Sequence, residues 1–279
     1  MTNNETSPSA NNLEEARIFL DSAEIDGWLT RDYRYTNPVF EAALGLHIEN
    51  LTRPVWLWIP ANGEPSILAH EVDIGRFPQD PIALVPYGSR NQMVEALKQI
   101  LNGAKTVAME YSPLYELPRV GRVDAGTIEL VRSLGADVVS SGDLVQHATE
   151  RWTPDQLQSH FFAVEALDKI VIQAFNYVGE NIRWALTEHD VAEHIRGKFD
   201  QAGLEFDDGP VVAFNSHSAD PHYDPKPSNS AVIRREGWLL IDLWARKKSD
   251  PNAQRNISAD ITWTAKLGEP PSNLSLIHI

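Results

Sequence analysis

An aspartate lies inside an apolar run in the second half of the sequence. Asp242 interrupts the segment Trp238–Trp244, which reads WLLIDLW. A carboxylate in such surroundings is costly to bury unless a cation or hydrogen-bond donors satisfy it. A second aspartate, Asp260, belongs to the segment ADITWT, in which polar and apolar residues alternate as they do in a β-strand. The fold of this chain must therefore accommodate two carboxylates in neighbouring strands.

The spacing of the two aspartates predicts a hairpin. Asp242 lies four residues before Arg246, and Asp260 lies four residues after Asn256. The segment between Arg246 and Asn256 is charged, contains proline and is typical of a turn. Positions equidistant from the loop of an antiparallel hairpin face each other, about 5 Å apart, unless a bulge shifts the register. We therefore expect Asp242 and Asp260 to lie opposite each other.

Two facing carboxylates repel each other, and three arrangements relieve this repulsion. The carboxylates share a proton, contact an arginine or bind metal ions. Two-metal hydrolases hold their ions roughly 3.5–4 Å apart with bridging carboxylates. A purely structural alternative is one exposed aspartate and one capping aspartate. The spacing alone leaves these alternatives open.

A histidine in a loop is a further candidate site residue. His222 lies twenty residues before Asp242, in a polar and proline-rich stretch over residues 215–230. A histidine in such a loop is either a surface residue or a group placed for chemistry. His217 and Asp220 lie close to it in the sequence, but their spacing matches no metal motif.

Composition excludes several classes of function. The 279 residues carry 24 Lys and Arg against 39 Asp and Glu, a net charge of −15. Binding to nucleic acid or to an anionic membrane needs clustered basic residues, so we expect neither partner. The absence of cysteine excludes disulfides and cysteine-ligated zinc. Residues 1–12 lack the basic and apolar segments of a signal peptide, which favours a cytoplasmic location.

The sequence pattern divides the chain into two units. Residues 1–12 are polar and predict a disordered tail. Over residues 13–150, predicted strands and helices alternate, which is typical of an α/β domain with a mixed sheet. Asn62 and Gly63, between two β-rich runs, predict a hairpin.

A second unit begins near Arg151. Thr153 and Pro154 predict the N-cap and first turn of a long helix. Thr187 and Asp190 resemble a capping box, which predicts the start of a second helix. Runs typical of β-strands follow this second helix, so the unit combines two helices with a sheet.

These residues together resemble the creatinase, aminopeptidase P and prolidase family of pita-bread metallopeptidases, of the M24 type. The resemblance is carried by PHY at 221–223, REGWLLID at 235–242, ADITWT at 259–264 and the helix start LTEHDVA at 186–192. Residues 13–150 resemble the N-terminal creatinase-type domain of the same family. The resemblance implies an α/β protein, in which this first domain precedes a partial pita-bread (α+β) catalytic domain over residues 151–273.

The resemblance also implies a site and a reaction. Members of the family hold two divalent metal ions, usually manganese, cobalt or zinc, which activate a water for attack on an amide bond. Asp242 and Asp260 match two of the metal ligands, and His222 matches a histidine that contacts substrate or shuttles protons. The expected partner is a peptide with proline after the scissile bond. A homodimer of the complete protein is implied by the family alone.

The sequence departs from the family pattern at two positions that leave the exact substrate open. Trp238 replaces an acidic residue, and Trp263 replaces the usual arginine. The loop between the two aspartates is also longer than in most members.

A larger departure concerns the remaining metal ligands. In the family, a histidine and two glutamates follow the two aspartates, whereas only Glu269 and His278 follow Asp260 here. Residues 274–279 resemble a translated sequencing adapter, so we expect a truncated chain that is poorly soluble and inactive. Two alternatives are a metal-free, creatinase-like hydrolase and a catalytically inactive pita-bread module that binds peptides or proteins.

Overall fold

The computed structural model describes residues 8–77, 82–249 and 256–269. The chain divides into two compact units, residues 1–151 and 152–279. Each unit has hydrophobic core residues of its own. None of the helices in the described ranges is long and apolar enough to cross a membrane.

The described part of the first unit is a mixed sheet with helices. The helices are α1 (Pro8–Ser22), α2 (Pro38–Leu44), α3 (Arg90–Leu101), α4 (Ala125–Ser133) and α5 (Gly142–Thr149). The strands are β1 (Gly27–Asp32), β2 (Val55–Pro60), β3 (Ser66–His70), β4 (Ala83–Tyr87), β5 (Thr106–Met109) and β6 (Asp137–Ser140). The strand order is β4-β3-β2-β1-β5-β6, with β1–β2 and β2–β3 antiparallel and the other pairs parallel. The predicted α/β class with a mixed sheet is confirmed.

Helix α1 begins earlier than the sequence predicts. Residues 8–12, which we expected in a disordered tail, are helical, while residues 1–7 lie outside the described part of the chain. The side chain of Leu13 is buried, and Asn12 Nδ2 donates a hydrogen bond to the carbonyl oxygen of Ala42 at 2.8 Å. These contacts with the rest of the unit hold the first turns of the helix, which their polar composition alone does not indicate.

The predicted Asn-Gly hairpin is present. Strands β2 and β3 pair antiparallel, with Trp56 opposite Leu68. Gly63 in the connection has a φ of 120°. Residues with a Cβ atom rarely adopt this conformation, so glycine is required there.

A buried carboxylate connects the ends of several elements of the first unit. Glu110 follows β5 and is 1% exposed. It accepts hydrogen bonds from Trp28 Nε1 at 2.7 Å, Thr30 Oγ1 at 2.8 Å, Asn37 Nδ2 at 2.7 Å and Ser141 Oγ at 3.2 Å. Burial raises the pKa of Glu110, and these four hydrogen bonds oppose the rise. Because Asn37 and Ser141 precede α2 and α5, the carboxylate connects β1 to the starts of both helices.

The described part of the second unit is an antiparallel sheet packed against two helices. Its elements are α6 (Pro154–Asn181), α7 (Glu188–Gln201), β7 (Leu204–Glu205), β8 (Val211–Phe214), β9 (Gly237–Lys247) and β10 (Ala259–Leu267). Strand β9 pairs with β10 along one edge and with β8 and β7 along the other. Helix α6 packs across β9 and β10.

Both predicted helix starts of the second unit are capping boxes. Thr153 Oγ1 accepts from the Gln156 N–H at 3.2 Å, and Gln156 Oε1 accepts from the Thr153 N–H at 2.9 Å. Thr187 and Asp190 form the same reciprocal pair at the start of α7. Helix α6 ends at Asn181, five residues before the predicted end near Leu186, because a 3₁₀ turn follows it.

Candidate functional site

The two aspartates lie in paired strands, but in a different register from the predicted one. Asp242 lies opposite Thr262, and Asp260 lies opposite Trp244. The prediction that the two carboxylates face each other directly is therefore wrong. They are instead diagonal neighbours on one face of the β9–β10 hairpin, since residues two apart along a strand share a face.

Helix α6 explains the difference in register. The Ile257 N–H donates to Ser159 Oγ at 3.2 Å, and His160 Nδ1 lies 2.9 Å from the carbonyl oxygen of Ser258. These bonds hold residues 257 and 258 against the helix rather than against β9. Strand β10 consequently begins only at Ala259, and the ladder is displaced from the symmetric pairing that the loop spacing implies.

The face that carries the aspartates is the more open face of the sheet. Ile241 and Leu243 are buried against the helices, whereas Asp242 is half-buried and Asp260 and Thr262 are exposed. Diagonal neighbours in antiparallel pairs lie about 7–8 Å apart. This distance separates backbone positions, and two aspartate side chains that extend from such positions on one open face can approach a common ligand.

Electrostatics and hydrogen bonding connect the two aspartates to their surroundings. Although Asp260 is exposed, partial desolvation by its neighbours raises its pKa, and the negative charge of Asp242 raises that pKa further. The hydroxyl of Thr262 donates to Asp242 Oδ1 at 2.5 Å. The aspartates therefore interact with each other, and the side chain of Asp242 is oriented by its cross-strand partner.

His222 lies in the loop over residues 215–230, and its side chain is exposed. It lines a cleft of about 470 Å³ together with Tyr223 and Trp244, among others. Trp244 lies on the same strand face as Asp242 and opposite Asp260 in the ladder. Trp244, which forms part of the wall of the cleft, is thus a neighbour of both aspartates.

Trp244 is held firmly in this wall. Its indole Nε1 donates to Asp208 Oδ1 at 3.0 Å. Gly209 lies directly against the ring, since a Cβ atom there would approach Trp244 to within 2.6 Å. The carbonyl oxygen of Gly209 accepts from Arg196 Nε at 2.9 Å. The strand and the preceding loop therefore fix the aromatic surface of the cleft.

The other polar residues near His222 serve the loop itself. The His222 N–H donates to Asp220 Oδ1 at 2.9 Å. His217 is directed away to Glu188, with Nδ1 2.9 Å from Oε1 and 3.0 Å from Oε2. The structure thus places Asp242 and Asp260 on one face of the β9–β10 hairpin, and it places His222 in an adjoining cleft. None of the hydrogen bonds found among the described residues joins His222 to either aspartate.

Glu188 is a residue whose importance the sequence reasoning missed. It is completely buried at the first position of α7. It accepts hydrogen bonds from the Phe214 N–H, the Ala231 N–H and the Tyr223 hydroxyl, each at 2.6 Å, in addition to His217. The sequence signal for Glu188 is its place in the helix start at residues 186–192, where the capping-box pattern assigns roles to Thr187 and Asp190 alone.

The face of the hairpin that carries Asp242 and Asp260 supplies some of the groups that a metal ion needs. Carboxylate oxygens suit hard divalent cations, and Asp242 and Asp260 supply such oxygens on one open face. Within residues 8–77, 82–249 and 256–269, no group of three or more His, Asp or Glu side chains is arranged to hold a metal ion. The described residues therefore provide two candidate ligands but not a complete site.

A family model matches the second part of the chain. Residues 163–278 match the model of metallopeptidase family M24. This match covers both aspartates, His222 and Glu188. No curated protein matches the chain.

Solved structures resemble the chain along nearly its whole length. Dipeptidase PepE from Mycobacterium ulcerans has a TM-score of 0.65 at 18% identity, covering 98% of this chain and 68% of that one. Prolidase from Pyrococcus horikoshii OT3 has a TM-score of 0.56 at 20% identity, with coverages of 96% and 68%. Xaa-Pro dipeptidase from Bacillus anthracis has a TM-score of 0.56 at 16% identity, with coverages of 97% and 68%. At these identities the likeness shows the fold.

The fold and the family match together define the class. The chain has the architecture of the pita-bread peptidases and is related to metallopeptidase family M24 through its second unit. The predicted resemblance and the predicted fold class are therefore confirmed.

Proposed function

We propose that this chain is part of a dinuclear-metal peptidase that resembles Xaa-Pro aminopeptidases and prolidases and hydrolyses peptide bonds next to proline. The observation that carries the proposal is the placement of Asp242 and Asp260 on one open face of a hairpin, close enough for Asp242 to raise the pKa of Asp260. The match to the M24 family supports it, because that match spans both residues.

Asp242 and Asp260 are the residues of this chain that would hold the metal ions. Manganese, cobalt and zinc are the candidates, and two such ions would supply an activated water and polarise the amide carbonyl. Thr262 orients Asp242 through its hydroxyl, so that one oxygen of the carboxylate is fixed before any ligand binds. The charge of two neighbouring carboxylates attracts a divalent cation to this face.

His222 is the proposed catalytic residue of the cleft. Its exposed ring is free to contact a peptide or to move a proton, which is the common role of histidine near neutral pH. Trp244, Phe206 and Pro221 provide apolar surface in the same cleft. Such surface suits the ring of a proline residue in the substrate.

The proposal includes a metal site that is incomplete in the 279 residues. By the family resemblance, a histidine and two glutamates would complete the ligand set. Glu269 and His278 are the only such residues after Asp260. We therefore expect the 279 residues by themselves to bind metal weakly and to be inactive as a peptidase. A peptide is the proposed substrate, and a homodimer is the proposed assembly. A cytoplasmic location stays a prediction.

Titration of the 279-residue chain with Mn²⁺, followed by calorimetry, tests the proposal. We expect weak binding that is lost in Asp242→Asn and in Asp260→Asn. Asp168→Asn is the matched control, because Asp168 is an exposed aspartate of helix α6 in the same unit. Binding that survives both aspartate substitutions, or no binding at all, would contradict the proposal and favour a metal-free hydrolase or a peptide-binding module.

A further inference from the structure

We propose that Glu188 is a positioning residue, which fixes the loop over residues 215–230 and thereby the location of His222. The inference rests on the proposed function in one respect only, namely the importance assigned to His222. The physical basis is the set of hydrogen bonds that converge on the Glu188 carboxylate.

Glu188 holds both ends of the loop. The Phe214 N–H, immediately before the loop, donates to Oε1 at 2.6 Å. The Ala231 N–H, immediately after the loop, donates to Oε2 at 2.6 Å. A single carboxylate thus fixes the distance between the two points at which the loop leaves and rejoins the unit.

Glu188 also holds the interior of the loop. The Tyr223 hydroxyl donates to Oε2 at 2.6 Å, and His217 Nδ1 contacts both oxygens. Tyr223 is 7% exposed, and its ring lies 4.4 Å from that of His217 between centroids. Because His222 directly precedes Tyr223, the proposed catalytic histidine is one residue away from this tether.

The start of helix α7 does not require this carboxylate. The capping box of Thr187 and Asp190 already satisfies the first backbone groups of the helix. Every hydrogen-bond donor found on the Glu188 carboxylate comes from the loop or from its two flanking residues. Burying a carboxylate is costly unless hydrogen-bond donors compensate the cost. Because the donors to Glu188 all lie in one loop or beside it, the carboxylate has a role in that loop.

The next residue of the helix reinforces the attachment. The His189 N–H donates to Ser230 Oγ at 3.1 Å, and His189 Nδ1 lies 3.0 Å from the carbonyl oxygen of Pro225. The first turn of α7 is therefore the support on which the second half of the loop rests.

The Glu188→Gln substitution distinguishes the role of Glu188 as a hydrogen-bond acceptor for the loop from a role in packing alone. Glutamine has the same shape as glutamate, but one of its two terminal atoms is an NH₂ donor. In either orientation, that NH₂ faces a backbone N–H, of Phe214 or of Ala231, and one end of the loop loses its acceptor. Tyr223→Phe is a milder variant, which removes only the hydroxyl that donates to Glu188 and keeps the test decisive if Glu188→Gln does not fold.

Two measurements on the metal-free and substrate-free chain test the inference. Hydrogen exchange followed by mass spectrometry reports the order of residues 215–230. NMR of the histidine rings, with His222 assigned by His222→Gln, reports the environment of His222. Glu193→Gln is the matched control, because Glu193 is an exposed glutamate of the same helix.

We expect Glu188→Gln to raise exchange in the loop about tenfold and to shift the His222 ring signal, with α6 and β9 unchanged. Tyr223→Phe should produce a smaller change in the same direction, and Glu193→Gln none. An unchanged loop and an unchanged His222 signal in a folded Glu188→Gln or Tyr223→Phe variant would overturn the inference, as would equal loosening of α6 and β9. Because neither metal nor substrate is present, failure of the proposed peptidase function would be seen separately, in the metal titration.

Discussion

Thr262 lies directly opposite Asp242 and donates its hydroxyl to Asp242 Oδ1 at 2.5 Å. The bond fixes one oxygen of a carboxylate that lies on the open face of the β9–β10 hairpin. Hydrogen bonds to a ligating side chain orient it and raise its affinity for metal. The threonine is therefore part of the proposed metal site, although it need not touch the ion.

Thr262→Val should weaken Mn²⁺ binding. Valine keeps the shape and the strand preference of threonine but cannot donate a hydrogen bond to Asp242. Loss of such a supporting bond costs about tenfold or more in metal affinity. Calorimetric titration with Mn²⁺ measures the change. Thr264→Val is the control, since Thr264 lies on the same face but opposite Leu240. Equal losses in the two variants would contradict a specific role for Thr262.

Asp242→Asn should lower the pKa of Asp260. Partial desolvation and the charge of Asp242 both raise this pKa, so removal of the charge moves the pKa towards its ordinary value while the desolvation keeps it above that value. An NMR titration of the Asp260 side-chain carboxyl carbon measures the shift. Asp168→Asn should leave the pKa of Asp260 unaltered. An unchanged pKa in Asp242→Asn would mean that the two carboxylates do not interact.

Glu110→Gln should alter how the stability of the first unit depends on pH. The pKa of Glu110 is higher in the folded state than in the unfolded state. As the pH rises, Glu110 of the unfolded chain therefore loses its proton first. Wild-type stability therefore falls as the pH rises from the unfolded pKa towards the folded one, and the variant lacks this contribution.

In Glu110→Gln, an NH₂ group also takes the place of a carboxylate oxygen that accepts from two donors, so a buried donor is left unpaired. This costs about 1–3 kcal/mol in the free energy of unfolding. Urea denaturation across this pH range measures both effects, and the stability advantage of the wild type should shrink as the pH rises. A difference between wild type and variant that stays constant with pH would contradict the assignment.

Much of the fold follows from local sequence. The Thr153 and Thr187 capping boxes and the Asn62-Gly63 hairpin are short patterns whose partners lie within a few residues. The alternation in residues 259–264 likewise places Asp260 and Thr262 on one face. Such features depend on backbone geometry that neighbouring residues determine.

Two features of the site depend on distant contacts, and the sequence did not indicate them. The register of the hairpin is displaced by bonds between α6 and residues 257 and 258, and Ser159 and Ile257 are 98 residues apart. The donors to Glu188 are 26 to 43 residues away along the chain. The patterns that predict hairpins and helix starts consider only residues close together in the sequence, so they do not include these distant partners.

Paramagnetic broadening by Mn²⁺ tests the central claim most directly, because it locates the ion as well as detecting it. In NMR spectra of the 279-residue chain, substoichiometric Mn²⁺ should first broaden the amide signals of Asp242, Asp260 and Thr262, followed by the ring of His222. Asp242→Asn should abolish this pattern. Broadening that is centred on other acidic residues, or that is uniform over the surface, would contradict a metal site on the β9–β10 face.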